Sequence, residues 1–147
     1  VCQRVEQQPG SHISGHCVDL NFEFIEEAIA MATMYTANHL ETKAIIAMSA
    51  SGKTPLIMSR IRTAIPIYGF SHSLKTLRKM TLFRGVTPVF FNAFDYKTTS
   101  SVNHAALKRF LEFVPLDEGD TVLLTKGDIA GVEGGTNTMK ILQVPAQ

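Results

Sequence analysis

The chain has 147 residues, 45% of them apolar and 18% charged, with a formal net charge of +1. That length suits one domain with its own core, and no apolar run reaches the ~18 residues of a membrane span. Scattered basic residues argue against nucleic acid as a partner, and two cysteines, Cys2 and Cys17, cannot build a disulfide framework, so a cytoplasmic location is expected.

Residues 1–20 differ from the rest. They hold both cysteines, His12, His16, Pro9, Gly10 and Gly15, and read as a short helix remnant followed by a loop. No charged-then-apolar signal segment opens the chain. It begins Val1-Cys2-Gln3 without a Met, which fits a fragment. The organised domain is expected over 21–147.

Residues 21–40 predict an amphipathic helix, with Phe22, Ile25, Ile29, Ala32 and Leu40 near helical spacing. Glu23, Glu26 and Glu27 read as its solvated face, and Asp19 or Asn21 as its cap. Residues 43–48 (KAIIAM) then form a short apolar run, as in a strand buried on both faces. Ser49 to Gly52 breaks it, and a helix is expected over 54–62 with Pro55 in its first turn. A second strand follows over 65–70. Ser71 or Ser73 caps a helix reaching about Phe83, which Gly85 ends. The third strand is expected over 86–91, followed by a polar stretch to Ser101. Residues 102–114 read as a helix with Leu107, Phe110, Leu111 and Val114 on one face. A turn leads to a fourth strand at 121–126. A glycine-rich loop spans 127–135, and an alternating strand at 137–144 closes the chain. Strands alternating with helices predict an α/β, three-layer sandwich: about five mostly parallel strands, an antiparallel edge strand, and helices on both faces.

Two stretches carry candidate chemistry. Ser49-Ala50-Ser51-Gly52-Lys53-Thr54 lies where a strand ends and a helix begins, where free N–H groups and the helix dipole favour an anion. Ser49, Ser51 and Thr54 add hydroxyls, Lys53 adds charge, and Gly52 allows close backbone approach. The set suits a phosphate monoester. A Walker-type nucleotide loop would need a glycine where Ala47 stands. A helix capped without any ligand is the plainer alternative. The second stretch, residues 127–138, places Gly131, Gly134, Gly135 and Thr136 in a loop that the fourth strand delivers to the same sheet edge. Its plainer alternative is a mobile hairpin connection.

No catalytic centre is apparent. Cys2, His12, His16 and Cys17 match no common zinc spacing, and His72 has no evident acid partner. Arg60, Arg62, Arg78, Lys79 and Arg84 suit surfaces or interfaces. Met31, Met34, Met48, Met58 and Met80 suit core or interface filling.

Three ordered segments then carry a resemblance. Residues 26–60 (EEAIAMATMYTANHLETKAIIAMSASGKTPLIMSR), 82–88 (LFRGVTP) and the loop ending Gly135-Thr136-Asn137-Thr138 resemble the C-terminal domain of pyruvate kinases. The match runs from about residue 22 to 145, and Ser51-Gly52-Lys53-Thr54 with Met58-Ser59-Arg60 looks more like the bacterial members. Residues 1–20 resemble the tail of that family's catalytic barrel and its linker.

The resemblance implies a parent enzyme that transfers phosphate from phosphoenolpyruvate to ADP in glycolysis. Its magnesium and potassium ions belong to the barrel, so no cofactor is expected in this segment, and the segment alone is expected to be inactive. It further implies binding of a phosphorylated allosteric effector and assembly into a homotetramer. Ser49, Ser51, Gly52, Lys53 and Thr54 fall on the family's phosphate-cradling loop; Gly131, Gly134, Gly135 and Thr136 fall in the loop that closes over the sugar. Animal and yeast members that answer to fructose 1,6-bisphosphate use a Trp and an Arg near the start of the helix placed here at 102–114. This chain has no Trp, and residues 95–102 offer Lys97 but no Arg. The expected effector is therefore a sugar or nucleoside monophosphate. A free-standing phosphometabolite-binding protein and a purely structural assembly domain remain the alternatives.

Overall fold

The computed structural model describes residues 21–146, so the readings made for residues 1–20 lie outside it. In chain order the elements are α1 (Ile25–His39), β1 (Thr42–Met48), α2 (Lys53–Ser59), β2 (Ile67–Ser71), α3 (Leu74–Met80), β3 (Val86–Phe90), a 3-10 turn (Ala93–Asp95), α4 (Thr99–Leu111), β4 (Thr121–Gly127) and β5 (Thr136–Gln143). The strands form one sheet in the order β3-β2-β1-β4-β5. The first four are parallel, and β5 returns antiparallel beside β4. This is the expected α/β sandwich.

The unbroken apolar run in β1 follows from its central place. Ile45 and Ala47 point to one face, against Ala30, Met34, Met58 and Met80 from α1, α2 and α3. Ala44 and Ile46 point to the other, with Leu107 and Phe110 of α4. Both faces are dry, so alternation in polarity disappears. Each large side chain fully buried here contributes about 1.5–3 kcal/mol. Met34, Met58 and Met80 are wholly buried, in keeping with a filling role.

The sequence expectation for α1 needs correction. Its buried residues are Glu26, Ala30, Thr33, Met34 and Ala37, whereas Phe22, Ile25 and Leu40 are exposed. The inner stripe combines the small residues Ala30, Thr33 and Ala37 with Met34 and Glu26, while Ile25 is turned outward. Glu26 is therefore not on a solvated face. Among the described residues no side chain, Asn21 included, caps α1, and Phe24 is the N-cap; Asp19 lies outside the described residues. Ser73, not Ser71, caps α3, its Oγ accepting from the Thr76 N–H. The start of α4 comes three residues early because Thr98 and Ser101 form a reciprocal capping box.

Candidate functional site

β1, β2 and β3 are linked through α2 and α3 on one face. The chain then crosses the other face through α4 and lays β4 on the opposite side of β1. Connections leaving the carboxyl ends of β1 and β4 thus part in opposite directions, opening the crevice where α/β sheets bind ligands. A cavity of about 200 Å³ lies there, walled by Ser49 and Ala50, by His72, by Phe94, Tyr96 and Thr98, and by residues of the loop after β4.

The serine loop has already used most of its side chains. Ser49 Oγ accepts from the Gly52 N–H at 2.9 Å, and Ser51 Oγ accepts from the Lys53 N–H at 3.3 Å. Gly52 sits at φ +79°, a left-handed turn that favours glycine. Thr76 Oγ1 donates to the Ala50 carbonyl at 2.7 Å, fixing the loop to α3. Thr54 is wholly buried, and its Oγ1 is 2.8 Å from Thr136 Oγ1. That bond joins the two candidate loops across 82 positions of sequence. The Lys53 ammonium is paired with Glu26 Oε1 and lies 4.2 Å from the centre of the Phe24 ring. The Glu26 carboxylate is 3% exposed, so this pair is held on the buried side by α1.

Of the sequence-predicted residues, Ser49, Gly131, Gly134 and Thr136 line the cavity. Ser51 lines an adjoining groove with Ser73, Lys75 and Lys79. Gly52, Lys53 and Thr54 line neither of these, and support the loop from behind. Gly135 has a structural place: a Cβ on Gly127 would stand 2.5 Å from the Gly135 carbonyl oxygen, so the loop is pinched at its base. Gly131, at φ +81°, presses on Phe94; a Cβ there would meet the ring at 2.6 Å. Asp128 and Asn137 brace the loop's ends, the Asn137 amide donating to Asp128 Oδ2 at 3.0 Å.

Sequence reasoning passed over Lys126. It is the next-to-last residue of β4, is 5% exposed, lines the cavity, and makes no side-chain hydrogen bond or ion pair among the described residues. Burial pushes its ammonium below the usual lysine value, Asp128 opposes that shift, and Lys140 adds to it. Its position at the carboxyl end of a parallel strand beside the crevice was the available signal. Phe94 and Tyr96 were also missed, hidden in a stretch read only as polar. His72 rests edge-on against Phe94, with ring centres 5.2 Å apart.

Among the described residues no three His, Cys, Asp or Glu side chains gather as a metal site would require, and no helix is long and apolar enough to cross a membrane.

Comparison with known proteins agrees with this architecture. The family described as "Pyruvate kinase, alpha/beta domain" matches residues 27–142. A pyruvate kinase from Buchnera aphidicola is 43% identical over 145 residues, covering 98% of this chain and 30% of the relative. Pyruvate kinase II of Salmonella typhimurium is 41% identical over the same length, with the same coverage. A pyruvate kinase from the yeast Lachancea kluyveri is 33% identical over 122 residues, 80% of this chain and 24% of the relative. The chain thus spans about 30% of the bacterial relatives' length.

Proposed function

Because the chain belongs to the pyruvate kinase family, as its α/β domain, we propose that it is the regulatory and assembly domain of an enzyme transferring phosphate from phosphoenolpyruvate to ADP. In this reading it binds a phosphorylated effector, a sugar or nucleoside monophosphate, and contributes a face to a homotetramer. The carrying observation is the cavity at the switch point, walled on one side by the serine loop and on the other by the glycine loop, with Thr54 and Thr136 joining them. A ligand phosphate near Ser49 and Ser51 draws the Lys53 ammonium, which lines neither hollow in this structure, away from Glu26. Its sugar lies under Gly131 and Gly134.

An effector shifts an enzyme only by binding one of its states better than another. Occupation of the cavity acts on both loops at once because one buried hydrogen bond ties them. Lys53 and Glu26 carry the effect to α1. That helix turns Ile25, 69% exposed, and Tyr35, 59% exposed, outward, and Phe22, Phe24 and Leu40 just beyond its ends are exposed as well. Exposed apolar side chains gathered along and around one helix suit burial against another chain.

Calorimetry tests the reading. Ribose 5-phosphate, glucose 6-phosphate, AMP, fructose 1,6-bisphosphate and inorganic phosphate are titrated into the chain and into Lys53→Ala. Saturable binding of a monophosphate, weakened by about 1.5–3 kcal/mol without Lys53, is expected. Tighter binding of the bisphosphate than of every monophosphate, or no binding by the folded chain, counts against it.

A further inference from the structure

Glu26 is an acid held beside a site read as binding anions. It stands in the first turn of α1, is 2% exposed, and holds the Lys53 ammonium through Oε1. The two partners are unequally placed. Lys53 keeps 42% of its side chain exposed and carries its charge on a flexible four-carbon stem, so it can turn from one anion to another. The Glu26 side chain, 3% exposed, is fixed by its surroundings. Phe24, just before α1, adds a second restraint, its ring centre 4.2 Å from the ammonium.

The carboxylate is also close to the cavity. Gly134 lines the cavity at φ +70°, and a Cβ there would stand 3.7 Å from Glu26 Oε1. Lys53 begins α2 directly after the serine loop, and its N–H donates to Ser51 Oγ. Its side chain nevertheless runs to α1 and lines neither the cavity nor the adjoining groove.

We infer that Glu26 is an internal competitor for the ligand's phosphate, holding Lys53 in an autoinhibitory ion pair that sets how tightly the cavity binds. The inference rests on reading the cavity as a phosphometabolite site, and adds a regulating residue that is not itself a ligand contact. While Lys53 faces Glu26, one cation is withheld from the phosphate. When Lys53 turns to the phosphate, a carboxylate is left buried without its cation, which is the costly way to break such a pair. That carboxylate then repels a phosphate carrying about −1.5 to −2 charges near neutral pH. Only chains with Lys53 released bind at full strength, so apparent affinity falls by the released fraction. The same pair ties α1 to the serine loop, so one carboxylate sets stability against ligand affinity.

The test is calorimetry on the 147-residue chain with ribose 5-phosphate, glucose 6-phosphate and inorganic phosphate. The wild type is compared with Glu26→Gln, Lys53→Met and the double variant. Glu26→Gln keeps the side chain's size and an oxygen that can accept from Lys53, and removes the charge. It is expected to bind the phosphates about threefold to tenfold more tightly than the wild type, and to unfold at a lower urea concentration. In the Lys53→Met background the same substitution should change affinity by less than about twofold. Affinity that is unchanged or weaker in Glu26→Gln overturns the inference. So does an equal gain in both backgrounds, which would assign the effect to charge repulsion with no part for Lys53. A measurement on the wild type decides where a variant fails to fold: the Glu26 carboxyl 13C resonance should move on saturation with ligand, and one that stays in place refutes the competitor role. Phosphate binding indifferent to Glu26→Gln sinks this inference alone. Failure of every phosphorylated ligand to bind either chain sinks the underlying reading as well.

Discussion

Two lysines stand at the same edge of the sheet in opposite circumstances. Lys53 lies in the loop that sequence singles out; its side chain is 42% exposed and its charge is met by a buried glutamate. Lys126 lies in no motif, is 5% exposed, and makes no ion pair or side-chain hydrogen bond among the described residues, with Asp128 near enough only to oppose the effect of its burial. The motif lysine is the one held in an ion pair, and the unremarked lysine is the one held in none among the described residues. A motif locates a loop, whereas burial and partners show which of its charges are free. Topology supplied the second lysine: a strand beside the switch point delivers its last side chain to the crevice.

The largest expected contrast is in stability. Lys53→Met leaves Glu26 buried without its cation, at a cost of about 2 kcal/mol, less than for a wholly buried pair because water reaches Lys53. Lys126→Met removes a charge that burial disfavours more than Asp128 favours, and should raise stability by about 1 kcal/mol. Urea denaturation of both variants measures this; equal changes of the same sign would erase the distinction between the two residues. Next in size is the link between the loops. Thr54→Val or Thr136→Val alone strands one buried hydroxyl, costing about 1–2 kcal/mol, while the double variant costs less than the sum. Additive losses in that cycle would mean that the loops are not joined through this bond.

The smallest effect is a pH dependence. The folded value of Lys126 lies below its ordinary 10.5, through burial first, with Lys140 assisting and Asp128 opposing. Between the folded value and 10.5 the unfolded chain binds more protons, so this residue makes stability rise with pH across that window. The difference in stability between wild type and Lys126→Met should therefore shrink as the solution becomes alkaline. A gap that stays constant would place Lys126 in contact with water.

The order of strands and helices was readable because each strand run is short, apolar and bounded by Ser, Gly or Pro. The antiparallel edge was readable because a nine-residue loop is too short for a crossover. The inner face of α1 was not. The large side chains Ile25 and Leu40 suggested a core stripe, yet Glu26, Ala30, Thr33, Met34 and Ala37 are the buried ones. Size and spacing alone cannot say which side of a helix approaches a neighbour closely. The pairing of Glu26 with Lys53 depends on that rotation and was hidden with it. Likewise Phe94 and Tyr96 entered the cavity wall only once the chain after β3 was seen to pass over the crevice.

The pinched base of the glycine loop has a further consequence. Gly127 pairs with Thr136 at the end of the β4–β5 ladder, and Gly127 and Gly135 meet backbone to backbone. Below that neck the register is set by strand pairing; above it nothing in the sheet depends on how many residues the loop contains. Loop length and composition can therefore drift over evolutionary time while the scaffold stays fixed. Lineages sharing this sheet can rewrite one short segment beside the crevice with the core left as it was.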